Sequence, residues 1–248
     1  MNSTEQFKQE CESEIKAQGD SLPLQQLTRS WMDKANSGKY SYHFEWLGRP
    51  VIQYPQDILA MQQIIWEVKP DLIIETGIAH GGSLIFSASM LELIATCTGN
   101  EGEVLGIDID IRPHNRKAIE EHPMYKRISM IQGSSIAPEI VAQVKEKTKG
   151  KKRILVCLDS NHTHDHVLAE LEAYAPLTTV GSYCVVMDTV IEDMPEGFFP
   201  DRPWGKGNNP KTSVWEYLKS HSEFEIDKTI QNKIMITVAP DGYLKRVR

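Results

Sequence analysis

Two aspartates, Asp159 and Asp188, each close an apolar run, and His162 stands shortly after the first of them. Carboxylates at neighbouring strand ends, with Thr189 beside the second as a further oxygen donor, suit a hard divalent cation such as Mg²⁺. A histidine just beyond can take a proton from a hydroxyl poised on that metal. A second cluster lies upstream. Residues 71–83, DLIIETGIAHGGS, join an apolar run and the acid Glu75 to a turn through Gly77, Ala79, Gly81 and Gly82, which opens a helix near Ser83. Glycine has no Cβ and tolerates positive φ, so backbone there can approach a ligand closely. A dinucleotide turn wants G-x-G-x-x-G with pyrophosphate on the helix N-terminus. The spacing here is different, and Glu75 would repel a pyrophosphate. The same carboxylate could hold an ammonium, such as the amino group of S-adenosylmethionine. A glycine-rich turn without any ligand is the plain alternative.

Other strand ends add polar groups. Asp108, at the end of VLGID, can accept hydrogen bonds from both ribose hydroxyls of an adenosyl group or of NAD, so it supports a nucleoside without choosing between them. Ser134 and Ser135 follow the next run, where they contact adenine or cap a helix. A non-haem iron site of two histidines and one carboxylate is compatible with the cluster at 159–166, but the surrounding pattern is not the β-rich scaffold expected for it.

The elements that must position these residues alternate. Strand-like runs at 72–75, 104–108, 128–132, 154–159 and 183–188 are separated by helical stretches at 83–96, 115–121, 136–147 and 164–174. This rhythm predicts a parallel α/β sheet with right-handed crossovers and all its strand ends facing one crevice. A helix at 55–68 precedes it, with Ile58, Met61, Ile64 and Ile65 as its buried stripe. The last runs, 224–227 and 234–238, are too close together for an intervening helix and predict an antiparallel hairpin at the sheet edge. Residues 1–50 read as a helical and aromatic extension, with Phe7, Cys11 and Ile15 on one helix face and YSYHFEWL at 40–47, leaving 51–248 as the main domain. The segment 194–210, MPEGFFPDRPWGKGNNP, is too long for a simple connection and is expected to act as a lid.

Composition narrows the class. A chain of 248 residues with 40% hydrophobic and 25% charged residues suits one α/β domain with extra helices. A net charge of −7 argues against a general nucleic-acid or anionic-membrane binder. No apolar run reaches the length of a membrane span and no signal segment opens the chain, so a cytoplasmic location is expected. Cys11, Cys97, Cys157 and Cys184 lack zinc spacing and read as buried free thiols.

Taken together, the turn from Glu75 to Ser83, the acid Asp108, Asp159 with His162, and Asp188 with Thr189 resemble a class I adenosylmethionine-dependent methyltransferase. Metal-dependent O-methyltransferases such as catechol O-methyltransferase carry a similar E-x-G-x-x-x-G-x-S turn and metal pair. LDSNHTHDHVLAELEAY and FPDRPWGKGNNPKTSVWEYL resemble, more closely, the cephalosporin hydroxylase/rhamnosyl O-methyltransferase family, over roughly residues 40–240. The resemblance implies a Rossmann-like fold: a mostly parallel seven-stranded sheet, an antiparallel C-terminal hairpin and helices on both faces. It further implies Glu75, Gly77, Ala79, Gly81 and Ser83 at the methionine end of S-adenosylmethionine, Asp108 at the ribose, and Ser134, Ser135 and Asp159 completing the cofactor site. Asp159 and Asp188, with Thr189, become metal ligands. In the related macrolide sugar O-methyltransferases a D-x-x-H motif supplies ligand and base, which places catalysis on Asp159 and His162. One departure stands out: relatives have an acid or Asn beside the second aspartate, whereas Met187 and Thr189 flank Asp188, leaving Glu192 or Asp193 to complete the shell.

The expected activity is O-methylation of a sugar or sugar-bearing small molecule in polysaccharide or natural-product biosynthesis, assisted by Mg²⁺, in a homo-oligomer without nucleic-acid partners. An oxidative hydroxylase role, a non-catalytic cofactor-binding partner and, less well matched, an NAD-dependent oxidoreductase are the competing readings.

Overall fold

The computed structural model describes residues 3–248; residues 1 and 2 of the expected extension lie outside the described residues. The chain opens with α1 (Ser3–Asp20) and α2 (Leu22–Ser37), a 3-10 turn at Tyr40–His43, and a hairpin of β1 (Phe44–Trp46) and β2 (Arg49–Val51). Then come α3 (Pro55–Val68), β3 (Leu72–Thr76), α4 (Gly82–Thr98), β4 (Glu103–Asp108), α5 (Pro113–Glu120), β5 (Ile128–Gln132), α6 (Pro138–Lys147), β6 (Ile154–Leu158), α7 (His164–Tyr174) and β7 (Tyr183–Val186). The chain closes with α8 (Pro210–Tyr217), β8 (Phe224–Ile226), α9 (Lys228–Ile234) and β9 (Tyr243–Arg246).

The main sheet has seven strands in the order β5-β4-β3-β6-β7-β9-β8. The first five are mutually parallel, and β9 pairs antiparallel with both β7 and β8. Every residue of β3 and β6 is buried, as a strand covered on both faces must be. Alternate side chains feed two cores. Ile73, Leu155 and Val185 pack with Ile64, Ile65 and Leu84 from α3 and α4. Ile74, Val156 and Val186 pack with Ile140, Leu171 and Val214 from α6, α7 and α8. Helices therefore cover both faces, and the carboxyl ends of the parallel strands share one edge, as the sequence predicts.

The C-terminal hairpin differs in detail. Residues 234–238, expected as a strand, are not one: the short helix α9 fits between β8 and the end of the run, and the second strand is β9. Tertiary contacts override the β-propensity of this stretch. The Val238 amide donates to Asp57 Oδ2 at 2.9 Å and its carbonyl accepts from Val190 at 3.1 Å, so its backbone is satisfied outside a ladder.

The N-terminal helix forms, but no residue of α1 is buried, and Phe7 of its expected apolar stripe remains 65% exposed. It lies against α9, where Gln18 Nε2 donates to the Asn232 carbonyl at 2.6 Å. The boundary expected at residue 50 falls within β2. All four cysteines are free; Cys157 and Cys184 are buried in strands as expected, whereas Cys97 is exposed and Cys11 half-buried. Among the described residues, no helix is long and apolar enough to cross a membrane.

Candidate active site

The turn after β3 is built by close backbone contact. Gly77 has φ +89°, and a Cβ there would strike the carbonyl of Asp159, so the ends of β3 and β6 touch only because this residue is glycine. Glu75 is buried and accepts a hydrogen bond from the Ser83 hydroxyl. Burial is the larger influence and pushes its carboxyl up to about 7, against the pull of that bond. Asp108 lies on the other side of the turn. Its Oδ2 accepts from the amides of Ile78 at 2.8 Å and Ala79 at 3.3 Å, and its Oδ1 accepts from Asp110 at 2.9 Å. Glu75 and Asp108 thus flank one loop. Asp108 holds that loop in shape.

Further support comes from the β1–β2 hairpin. Arg49 donates to the His80 carbonyl through Nε at 3.0 Å and Nη2 at 2.5 Å, and to Asn115 Oδ1 at 3.1 Å. Asn115 in turn donates to the Ala79 carbonyl at 2.9 Å. Trp46 Nε1 reaches Ser89 Oγ at 3.0 Å, anchoring the hairpin on α4. A Cβ at Gly82 would collide with the Pro50 carbonyl, so the helix start and the hairpin are in direct contact. Arg49 and Asn115 were missed in the sequence: neither belongs to a motif, and only the fold brings them to Ala79 and His80.

Across from this turn, Asp159, His162 and Asp188 converge, with one donor atom from each lying within 4.8 Å of the others. The Asp159 amide donates to the Thr76 carbonyl at 2.9 Å, which sets it at the end of β6. Asp188 adopts a left-handed backbone conformation just after β7. His162 Nε2 lies 3.2 Å from Asp188 Oδ2. Burial, then repulsion from Asp188 and from Glu75, raises the Asp159 carboxyl well above the usual range. Two crowded carboxylates, Asp159 and Asp188, make a donor pair that fits a divalent cation, which would relieve the repulsion between them.

The remaining expected ligands are engaged elsewhere. Thr189 is fully buried, and its hydroxyl donates to the Pro240 carbonyl at 2.6 Å instead of adding a neutral oxygen to the cluster. Glu192 accepts from the Gly207 amide at 2.7 Å and from Asn209 Nδ2 at 2.6 Å. Asp193 pairs with Lys211 at 2.6 Å and with Arg29 at 3.3 Å. Met187 is buried, and its amide donates to the Leu158 carbonyl at 2.9 Å. Glu192 therefore ties down the end of the segment 194–210, and Asp193 joins α2 to α8. Trp204 from that segment meets the His162 ring edge-on, with centroids 4.8 Å apart, and Arg202 lies over the Trp204 ring at 5.2 Å.

Ser134 and Ser135 follow β5 as expected, yet the Ser135 side chain faces protein. Its Oγ is 3.1 Å from His166 Nε2, and its carbonyl accepts from the Tyr174 hydroxyl. His166 Nε2 also lies 3.3 Å from Ser160 Oγ, and Ser160 donates to the fully buried Glu170 at 2.7 Å. One turn of α7 thereby links the loops after β5 and β6. The four-residue spacing of His166 and Glu170 was the available signal for a shared helix face.

Several known proteins are similar to this chain. Residues 38–247 match the model of the family described as Rhamnosyl O-methyltransferase/CmcI. A rhamnosyl O-methyltransferase of Mycobacterium bovis is 31% identical over 195 residues, covering 77% of this chain and 73% of the relative. The protein of the same name from Mycobacterium leprae is 30% identical over 203 residues, covering 81% of this chain and 82% of the relative. Among solved structures, CmcI described with Mg and SAM superposes with a TM-score of 0.56 at 20% identity, over 84% of this chain and 78% of that one. A TDP-rhamnose 3′-O-methyltransferase of calicheamicin biosynthesis gives 0.50 at 18% identity, over 69% of this chain and 74% of that one.

Proposed function

The chain belongs to the Rhamnosyl O-methyltransferase/CmcI family, and on that footing we propose that it transfers the methyl group of S-adenosylmethionine to a hydroxyl of a sugar, using His162 as the base. It is an adenosylmethionine-dependent O-methyltransferase. The observation that carries the finer reading is the juxtaposition of two sites at one sheet edge: the Glu75–Asp108 turn and the Asp159–His162–Asp188 cluster meet where Gly77 contacts the Asp159 backbone.

Each residue has a defined task. Glu75 receives the cofactor ammonium, with Ser83 holding the carboxylate in place. Asp108 keeps the turn open through the Ile78 and Ala79 amides and offers its carboxylate to the ribose hydroxyls. The loop backbone at Ser134 would hold the adenine. His162 takes the acceptor hydroxyl proton on its ring, and Asp188, whose Oδ2 lies 3.2 Å from Nε2, stabilises the imidazolium that forms. The alkoxide oxygen bonds to the methyl carbon as the carbon–sulfur bond breaks, leaving S-adenosylhomocysteine. Asp159 and Asp188 would hold a divalent cation such as Mg²⁺, which when bound lowers the pKa of an acceptor hydroxyl. Trp204 closes over His162 and keeps bulk water from the transferred proton.

Calorimetry with S-adenosylmethionine tests the first half of this reading: saturable binding is expected, and it should be lost when Glu75→Ala and Asp108→Ala are combined. Mass spectrometry of a panel of sugar hydroxyl acceptors tests the second. Cofactor binding without methylation of any glycoside in the panel would overturn the sugar assignment.

A further inference from the structure

One face of α7 carries His166, Glu170 and Tyr174 at four-residue spacing, and all three reach loops at the carboxyl edge of the sheet. Glu170 is fully buried, and its Oε1 accepts from the Ser160 hydroxyl at 2.7 Å. Ser160 Oγ lies 3.3 Å from His166 Nε2, and the same nitrogen lies 3.1 Å from Ser135 Oγ. The Tyr174 hydroxyl donates to the Ser135 carbonyl. No task assigned above uses this chain of groups.

The carboxylate gives the chain its direction. A carboxylate oxygen only accepts, so the one hydroxyl hydrogen of Ser160 is committed to Glu170. Towards His166, Ser160 can then only accept, which puts the ring hydrogen on Nε2, between Ser160 and Ser135. Holding an acid at this place is destabilising in itself. Glu170 Oε2 is buried with no hydrogen-bond partner among the described residues, so it is desolvated without compensation. A leucine would pack there without that penalty, but it could not orient Ser160.

What the acid holds is the point where two loops of the site touch. Ser160 follows Asp159 directly and stands two residues before His162, and its Cα would be 3.0 Å from a Cβ placed on Gly77. Ser135 lies in the loop after β5, where the adenine is expected.

We propose that Glu170 is a positioning residue for methyl transfer: through Ser160 it fixes the loop of Asp159 and His162 against the cofactor turn, and through His166 it ties that loop to Ser135. The proposal rests on the methyltransferase reading above, and it does not require Glu170 to touch cofactor or acceptor.

The test uses the full chain in three single variants and one double variant. Glu170→Ala and Ser160→Ala should each lower kcat by about 10–100-fold, the scale of an ångström-sized misplacement, while S-adenosylhomocysteine affinity stays within about threefold. Glu170→Gln keeps an oxygen acceptor for Ser160 and should retain kcat. Combining Glu170→Ala with Ser160→Ala should cost no more than either alone, because both remove the same contact. Hydrogen exchange of the S-adenosylhomocysteine complex needs no acceptor. Residues 133–137 and 159–163 should exchange about tenfold faster in the two alanine variants and at the parent rate in Glu170→Gln.

Parent kcat in either alanine variant, losses that multiply in the double variant, or a glutamine variant as slow as the alanine one would overturn the proposal. Unchanged exchange in the alanine variants would do the same. If Glu170→Ala does not fold, Ser160→Ala alone decides the matter. A parent that methylates no glycoside removes the sugar reading instead, and the exchange comparison still decides whether Glu170 holds the loop.

Discussion

His162 Nε2 sits 3.2 Å from Asp188 Oδ2 with the Trp204 ring edge-on at 4.8 Å, so the proposed base meets a carboxylate and an aromatic ring of the 194–210 segment at one imidazole. Replacing His162 by alanine removes the proton acceptor without touching the Glu75–Asp108 turn. Turnover should fall by about 10²–10⁴-fold, the usual range for losing a positioned base, with adenosylmethionine affinity unchanged by calorimetry. A comparable loss of cofactor affinity would mean that His162 acts by shaping the pocket.

Burial, and after it repulsion from Asp188, raises the Asp159 carboxyl in the free protein. Asp188→Asn should therefore leave the metal-free protein at least as heat-stable as the parent. Added Mg²⁺ should raise the melting temperature of the parent but not of the variant, since a ligand stabilises only a state that binds it. Equal shifts in both proteins would place the cation elsewhere.

Glu75, pushed up to about 7 by burial, carries a proton in part of the free population at neutral pH. An ammonium brought against it favours the ionised carboxylate, so cofactor binding must expel that proton. Calorimetry at pH 7 in two buffers of different ionisation enthalpy should detect release of about half a proton per cofactor, and Glu75→Gln should release none. Net proton uptake would contradict the pairing.

Asp57 is fully buried and accepts from Thr237, from the Val238 amide at 2.9 Å and from Tyr243 at 2.8 Å, yet burial wins and raises its carboxyl from 3.8 to about 6. Because the folded value lies above the unfolded one, the native state keeps a proton that the unfolded chain gives up. Stability from this group is therefore full below about pH 4 and lost as pH rises through 6, by about 3 kcal/mol at 1.36 kcal/mol per unit. Glu75 adds the same sign of dependence up to about pH 7. Urea unfolding of the ligand-free protein should show stability falling between about pH 4 and 7 through these two groups, and Asp57→Asn should flatten the lower part of that slope even if it lowers stability overall.

Arg49 grips the His80 carbonyl with two nitrogens and Asn115 with one. Arg49→Ala should weaken S-adenosylhomocysteine binding by about tenfold, the scale of lost hydrogen bonds from a charged group. Arg49→Lys should not restore it, because an ammonium cannot reproduce the planar fork. Full affinity in either variant would show that the hairpin merely rests on the turn.

Much of the site was legible because catalysis in this fold collects at strand ends, and strand ends are marked by apolar runs closing on an acid. Glu75, Asp108, Asp159 and Asp188 could be found in that way, and glycines at 77, 81 and 82 signalled close backbone approach. Thr189 shows where that reasoning stops. Its neighbour Asp188 joins Asp159 and His162, but one residue on, the backbone turns and the hydroxyl meets Pro240. Residues 234–238 look like a strand by composition, yet Asp57 and Val190 take the hydrogen bonds that a ladder would need.

The sequence by itself determined the sheet, its helical crossovers and the family, because these follow from periodicity and from motifs contained in short stretches of chain. Only the tertiary structure decided which polar groups are engaged and which are left to bind a ligand. Arg49 on the His80 carbonyl, Glu192 on Asn209 and Asp193 on Arg29 all join residues apart in the chain. Such pairings depend on distances and directions in space, and no local pattern of residue types encodes them.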